Sequence, residues 1–247
     1  METTKEMYAD AGEFYDVMSG RLWERRKNFL EALSRVADVE GAVLDIGAGT
    51  GHGVVAVAEV LSGVDIFAVE PSPTMRAVLV SRIMQTEGLQ RRVTVIPSTF
   101  EAAELPERVR AVLFLACIGL MDDAARRAFW ARLAAHMSPG GLVLFDVMMI
   151  DKPQPVEKIH VAEVAMGQNT YHAWAEGIPV DDLREKWVST YQIVRNNVVI
   201  LERHAEYTWQ TISLDDVARE AEPYGFVFER QTEDTMIPSG ILRKVAM

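Results

Sequence analysis

A single cysteine, Cys117, stands among 247 residues. No intrachain disulfide can form, and no cysteine-built zinc cluster. Basic residues are also scarce: 25 Lys and Arg against 36 Asp and Glu leave a net charge of −11. A protein that wraps a polyanion needs a basic footprint to displace counterions, so no nucleic-acid partner is expected. No apolar run reaches the ~18 residues of a membrane span, and Met1 to Glu6 lack the charged-then-apolar pattern of a secretion signal. The expectation is a cytoplasmic chain with no membrane partner. No repeat or low-complexity tract interrupts it. The length suits one large α/β domain with a modest elaboration, not two independent domains.

What is present is organised around Val43 to Gly53, where Val-Leu-Asp-Ile breaks into Gly-Ala-Gly-Thr-Gly-His-Gly. The continuous apolar run reads as a strand covered on both faces, and Val54 to Leu61 as the helix after it. Between them, glycines without a Cβ let backbone approach a ligand closely. A dinucleotide fingerprint requires G-x-G-x-x-G/A at the strand end, and counting from Gly47 the sixth position is His52. A second run, Val64 to Glu70, ends in an acid about twenty residues on, where a carboxylate can accept ribose hydroxyls.

The phrase Asp-x-Gly-x-Gly-x-Gly, Asp45 to Gly51, resembles the nucleoside-binding motif of class I S-adenosylmethionine-dependent methyltransferases. Ser138-Pro139-Gly140-Gly141 before Leu142 to Asp146 resembles the same family's turn into its fifth strand. The resemblance implies an α/β fold: a doubly wound, seven-stranded, mostly parallel Rossmann-like sheet with N-terminal lid helices and an antiparallel hairpin insertion after strand 5. It divides the chain into lid helices (1–40), cofactor core (41–149), an insertion covering the acceptor site or a dimer interface (150–212) and the end of the core sheet (213–247). It also implies S-adenosyl-L-methionine as cofactor, becoming S-adenosyl-L-homocysteine, with Asp45, Gly47, Ala48, Gly49, Gly51, Glu70 and Pro71 in its site. Ser98, Thr99 and Phe100 replace the acid usual near the adenine. Ala116, Cys117 and the lid residue Tyr15 complete the set.

In chain order, Lys5 to Met18 predicts a helix stopped at Gly20, and Leu22 to Val36 a second. Thr74 to Met84 predicts a helix, Arg92 to Pro97 a third strand, and Phe100 the start of a short helix capped by Thr99. Val109 to Ala116 is the fourth strand, Asp122 to Met137 an amphipathic helix. Val156 to Met166 reads as helical. Glu185 to Arg195 and Val198 to Gln210 read as strands joined at Asn196-Asn197, which sets Trp187, Ser189, Tyr191 and Ile193 opposite Ile200, Glu202 and His204. That hairpin either roofs the acceptor or makes a homodimer contact. Ser213 caps a helix, and two last strands turn at Pro238-Ser239-Gly240.

Methyl transfer from a sulfonium needs mainly proximity and alignment in a dry pocket. A base is required only if the acceptor arrives protonated. His172 and His160 are the candidate bases, ahead of His204, Asp146 and Glu163. Tyr8, Tyr15, Met121, Met148 and Trp174 are the candidate contacts to a small-molecule acceptor, whose methylated atom, N, O or C, is left open. Asp146 stands where a metal ligand would, but no Asp-Asn pair accompanies it, so no metal is assigned. Cys117 lacks a neighbouring cation and reads as a packed thiol. Two other readings stay open: an NAD(P)-dependent oxidoreductase and a non-catalytic S-adenosylmethionine-binding protein.

Overall fold

Ala42–Ile46 forms β1, and all five of its residues are buried, as a strand covered on both faces requires. A computed structural model describes residues 8–230, 234 and 236–246. The chain divides into two compact units, Met1–Arg25 with Lys152–Thr211, and Arg26–Asp151 with Ile212–Met247.

The second unit holds a seven-stranded sheet. After β1 come β2 (Ile66–Val69), β3 (Val93–Ile96), β4 (Val109–Phe114), β5 (Met137–Asp146), β10 (Phe226–Arg230) and β11 (Ser239–Lys244). Their order across the sheet is β10-β11-β5-β4-β1-β2-β3. β1 pairs in parallel with both β2 and β4, while β11 is antiparallel to β5 and β10. The strand order thus reverses beside β1, and ligands of open α/β sheets sit at such a switch point, outside the strands' carboxyl ends. This is the doubly wound, Rossmann-like class predicted from the sequence. α2 (His52–Val60), α3 (Pro73–Gln85), α4 (Asp123–His136) and α5 (Leu214–Ala221) connect the strands. Asp122 caps α4 through its carboxylate, and Ser213 with Asp216 makes a capping box on α5. Phe114 stacks on Phe129 at 4.5 Å, with Trp130 edge-on to both, to fill the core beneath β4.

The first unit corrects several expectations. No stop occurs at Gly20: α1 runs Tyr15–Leu30, because glycine lowers helix propensity by only about 1 kcal/mol and a long helix outlasts that. Lys5 to Met7 of the predicted first helix lie outside the described residues. Val156–Met166 is a strand, β6, not a helix, and it opens a four-stranded antiparallel sheet with β7 (Asn169–Pro179), β8 (Arg184–Arg195) and β9 (Val198–Gln210). The inserted hairpin is therefore half of a larger sheet. Its turn is as predicted, with Asn196 and Asn197 at φ 50° and 61°. Its facing residues are not. The register slips by one between Ile193 and Val194, so Trp187, Ser189, Tyr191 and Ile193 face Tyr207, Ala205, Arg203 and Leu201. One extra residue exchanges the faces of everything beyond it.

That inner face packs on the N-terminal segment. Phe14 stacks on Tyr191 at 5.0 Å and meets Tyr171 at 5.7 Å, with Ala11, Ala162, Ala173 and Ile193 around them. Two smaller corrections belong to the other unit. Phe100 opens only a turn, with Ala102 N–H donating to Thr99 O at 3.2 Å. Ser239 and Gly240 lie inside β11, paired with Asp146 and Phe145, so the connection precedes them.

Candidate functional site: the tips of β1, β2, β4 and β5

Gly47, Gly49 and Gly51 leave β1 with φ of 67°, 56° and 89°, a left-handed path that residues with a Cβ resist. Gly47 N–H and Ala48 N–H both donate to Val69 O, at 2.9 and 3.1 Å, which holds the turn against the tip of β2. Glu70 follows that tip and is buried. Its carboxylate accepts from Gly49 N–H at 2.8 Å on one oxygen and from Ser72 N–H at 2.7 Å on the other. Ser72 in turn caps α3 by accepting from Met75 N–H at 3.1 Å. One acid thus joins the glycine turn to the start of the next helix. The charge-assisted bonds lock its orientation.

Asp45 lies within β1 and is buried. Its Oδ2 has no hydrogen-bond partner among the described residues. Burial, and then the charge of Glu70, push its carboxyl up to about 7. A Cβ on Gly53 would stand 2.5 Å from that same oxygen, so the helix start presses directly against it. An orphaned buried carboxyl oxygen beside a glycine turn calls for a donor or cation from elsewhere. The S-adenosylmethionine site inferred from the sequence fits here: its amino-acid tail carries an ammonium group, and its adenosyl portion carries hydroxyls.

Between these acids and β5 lies the end of β4. Ala116 has φ 52° and donates its N–H to Asp146 Oδ1 at 2.6 Å. Asp146 is also ion-paired with Arg26, whose Nε and Nη2 donate to Oδ2 at 2.8 and 2.5 Å, both residues being buried. So engaged, Asp146 is a structural anchor for the β4 loop. Cys117 donates its thiol to Ile46 O at 3.3 Å. Burial first, then the charges of Asp146, Asp45 and Glu70, push that thiol well above its ordinary range. A nucleophile needs the opposite.

Unit two therefore brings together Asp45, Gly47, Ala48, Gly49, Gly51, Glu70 and Cys117 around the tips of β1 and β2, with Ala116 at the next tip. Pro71 is exposed beside Glu70. Ser98 Oγ donates to Thr99 O at 3.1 Å, just past β3. Phe100 turns its ring into the core, 4.7 Å from Phe129, so only its backbone is at the tip. Met121 packs partly on the core and offers its carbonyl to Arg126. Met148 lines a cleft of about 230 Å³ with Val147, Met149, Ser213, Asp215 and Pro238. Tyr8, Tyr15, His160, His172 and Trp174 belong to unit one. There Tyr8 meets Tyr15 edge-on at 5.7 Å, and the two histidines approach to 3.3 Å. Sequence reasoning missed the ion pair of Arg26 and the cap that Ser72 makes. An arginine 120 positions from its partner carries no local signal, but a serine before Pro73 was readable as a cap.

Residues 43–141 match the family model described as "Methyltransferase domain". Over that stretch the chain resembles a methyltransferase domain. The methyl donor of that family is S-adenosylmethionine. Protein arginine N-methyltransferase 6 of Xenopus tropicalis is 31% identical over 105 residues, 41% of this chain and 29% of that protein. The chain thus spans less than a third of the curated relatives it matches. Solved structures resemble it over far more of its length at low identity, which speaks to fold. DesVI of Streptomyces venezuelae superposes with a TM-score of 0.76 at 15% identity, covering 97% of this chain and 98% of that one. CalS10, an amino pentose methyltransferase from Micromonospora echinaspora solved with S-adenosylmethionine bound, gives 0.72 at 15% identity, over 90% and 92%. The sugar N-methyltransferase KedS8 from Streptoalloteichus gives 0.73 at 17%, over 92% and 90%. No described helix is long and apolar enough to cross a membrane.

Proposed function

We propose that the chain transfers a methyl group from S-adenosylmethionine to an amine nitrogen of a small-molecule acceptor such as an amino sugar. The observation that carries the donor half is the bridge from Glu70 to Gly49 N–H and Ser72 N–H beneath a left-handed glycine turn. When bound, the donor supplies an activated methyl on a sulfonium. Glu70 would hold the ribose. Backbone of Gly47, Ala48, Gly49 and Gly51 would flank the amino-acid tail, and the Asp45 carboxyl would face its ammonium. Pro71 and the Ser98 to Phe100 backbone would border the adenine, with Ala116 and Cys117 backbone on the far side. With Asp146 held by Arg26, these residues bind, orient and exclude water without themselves reacting, as proximity catalysis requires.

The acceptor half draws on the two neighbours named for sugars and amino sugars, whose likeness extends over nine-tenths or more of this chain. The match to arginine methyltransferases reaches only 41% of it. An oxidoreductase reading loses support from His52, which opens α2 where a pyrophosphate loop wants glycine.

Calorimetric titration tests the donor: S-adenosylhomocysteine binds and NAD does not. Glu70→Ala weakens that binding tenfold to a hundredfold, the ~1.5–3 kcal/mol of a lost charged hydrogen bond. Transfer of labelled methyl to a panel of amino sugars, hydroxylated sugars and arginine peptides tests the acceptor. Labelling of arginine peptides alone, or of nothing despite tight cofactor binding, contradicts the proposal.

A further inference from the structure

The outer face of the four-stranded sheet carries a cluster that the proposed donor site does not include. His160 pairs with Trp174 across β6 and β7, and Glu163 pairs with His172. Residues three apart on a regular strand point to opposite faces. Here the register shifts between His160 and Ala162, which makes Val161 an extra residue and returns Glu163 to the face of His160. Bulges re-aim side chains in this way and are frequent beside functional sites. Ala162 and Ala173 face the core side instead, where both are buried against the N-terminal segment.

The result is two imidazoles and one carboxylate converging at the sheet's edge. His172 Nδ1 lies 3.3 Å from His160 Nε2 and 3.7 Å from Glu163 Oε2. Ligand atoms of all three lie within 4.8 Å of one another. Two nitrogens held by one tetrahedral zinc at about 2.0–2.1 Å stand roughly 3.3 Å apart. The indole of Trp174 flanks both rings, 5.2 Å from His160 and 5.3 Å from His172, nearly parallel to the latter. It restrains each imidazole before an ion arrives. Lys158, a cation on the same face, donates its Nζ–H to Thr190 Oγ1 at 3.2 Å.

We propose that His160, Glu163 and His172 form a three-ligand site for a divalent transition-metal ion of the zinc class, with water completing the coordination. Two imidazoles and a carboxylate suit zinc, nickel or copper, and exclude magnesium, which prefers oxygen ligands throughout. The ion would clip β6, the edge strand, to β7. It would also occupy the lone pairs that a histidine base needs, so the pair chosen from the sequence as bases takes a different role.

The test uses the full chain, tag removed and stripped with chelator, titrated with zinc chloride, nickel chloride and magnesium chloride. Zinc should bind once per chain, and magnesium not at all. His160→Ala and His172→Ala should each weaken zinc at least tenfold, and Glu163→Gln severalfold. His204→Ala, whose partner is Glu202 on the same sheet, should leave zinc affinity unchanged. Nickel should quench tryptophan fluorescence, and Trp174→Phe should abolish most of the quench while still binding zinc. Circular dichroism of each variant establishes that the sheet persists. Absence of saturable zinc binding by the wild-type chain overturns the proposal, as does an unchanged affinity in the His160→Ala/His172→Ala double variant.

Discussion

The two sheets obey different rules of legibility. In the seven-stranded sheet β1 is buried at every position and β4 at all but Arg110, so the sequence announces them as unbroken apolar runs. In the four-stranded sheet β9 buries only Trp209 fully, and β6 only Ala162. A strand with one wet face and a bulge has no clean period. Val156 to Met166 accordingly mimicked a helix: its buried and half-buried residues do not alternate, because extra residues enter between Val156 and Ile159 and again at Val161. The contrast is between burial on both faces, which leaves a record in composition, and burial on one, which leaves a record only if the register is regular.

Asp146→Ala should cost about 3–5 kcal/mol in denaturant unfolding, because it strands the buried Arg26 guanidinium and removes the acceptor that holds Ala116 N–H. A loss under about 1 kcal/mol would mean that the β4 tip does not depend on that anchor.

Next comes the pH dependence of the same tips. Asp45 has its carboxyl raised to about 7 from 3.8, so the folded chain holds a proton that the unfolded chain releases. Its contribution to stability is complete below about 3.8, declines as pH rises, and is lost through about 7. Asp45→Asn should flatten that fall, and should leave the variant more stable than the wild type at pH 8 by a few kcal/mol in the absence of ligand. Equal pH slopes for the two proteins in thermal melts would refute the assignment.

The smallest effect sharpens the contrast within the other sheet. Ile193 and Gln192 are neighbours on β8, one packed near Phe14 and Tyr191, the other facing Glu202. Ile193→Ala should cost about 2–4 kcal/mol and Gln192→Ala less than about 0.5 kcal/mol. Reversed magnitudes would mean that the opposite face of β8 meets the N-terminal segment.

Much of the candidate site was readable because its parts are local. The glycine turn, Asp45 and Glu70 lie on two consecutive strands, and the covalent chain keeps them adjacent whatever the rest does. Ser98 to Phe100 follow β3, and the ring of Phe100 goes to the core, since an aromatic ring gains more from burial than from a turn, which leaves its backbone at the tip. Arg26 was invisible, because its partner is fixed only when β5 is laid beside β4. The approach of His160 and His172 to 3.3 Å was not legible either, because nothing in their spacing of twelve announces a pair.

From its residues alone this chain determined a parallel, two-face-covered sheet with a nucleoside-type turn at its first strand, because buried strands and tight turns demand particular side chains at adjacent positions. Tertiary structure alone decided which acids are neutralised and how, which face of the second sheet meets the N-terminal segment, and that two histidines and a glutamate converge. Those outcomes hang on register and on contacts between distant segments, and a single extra residue in a strand is enough to reverse them.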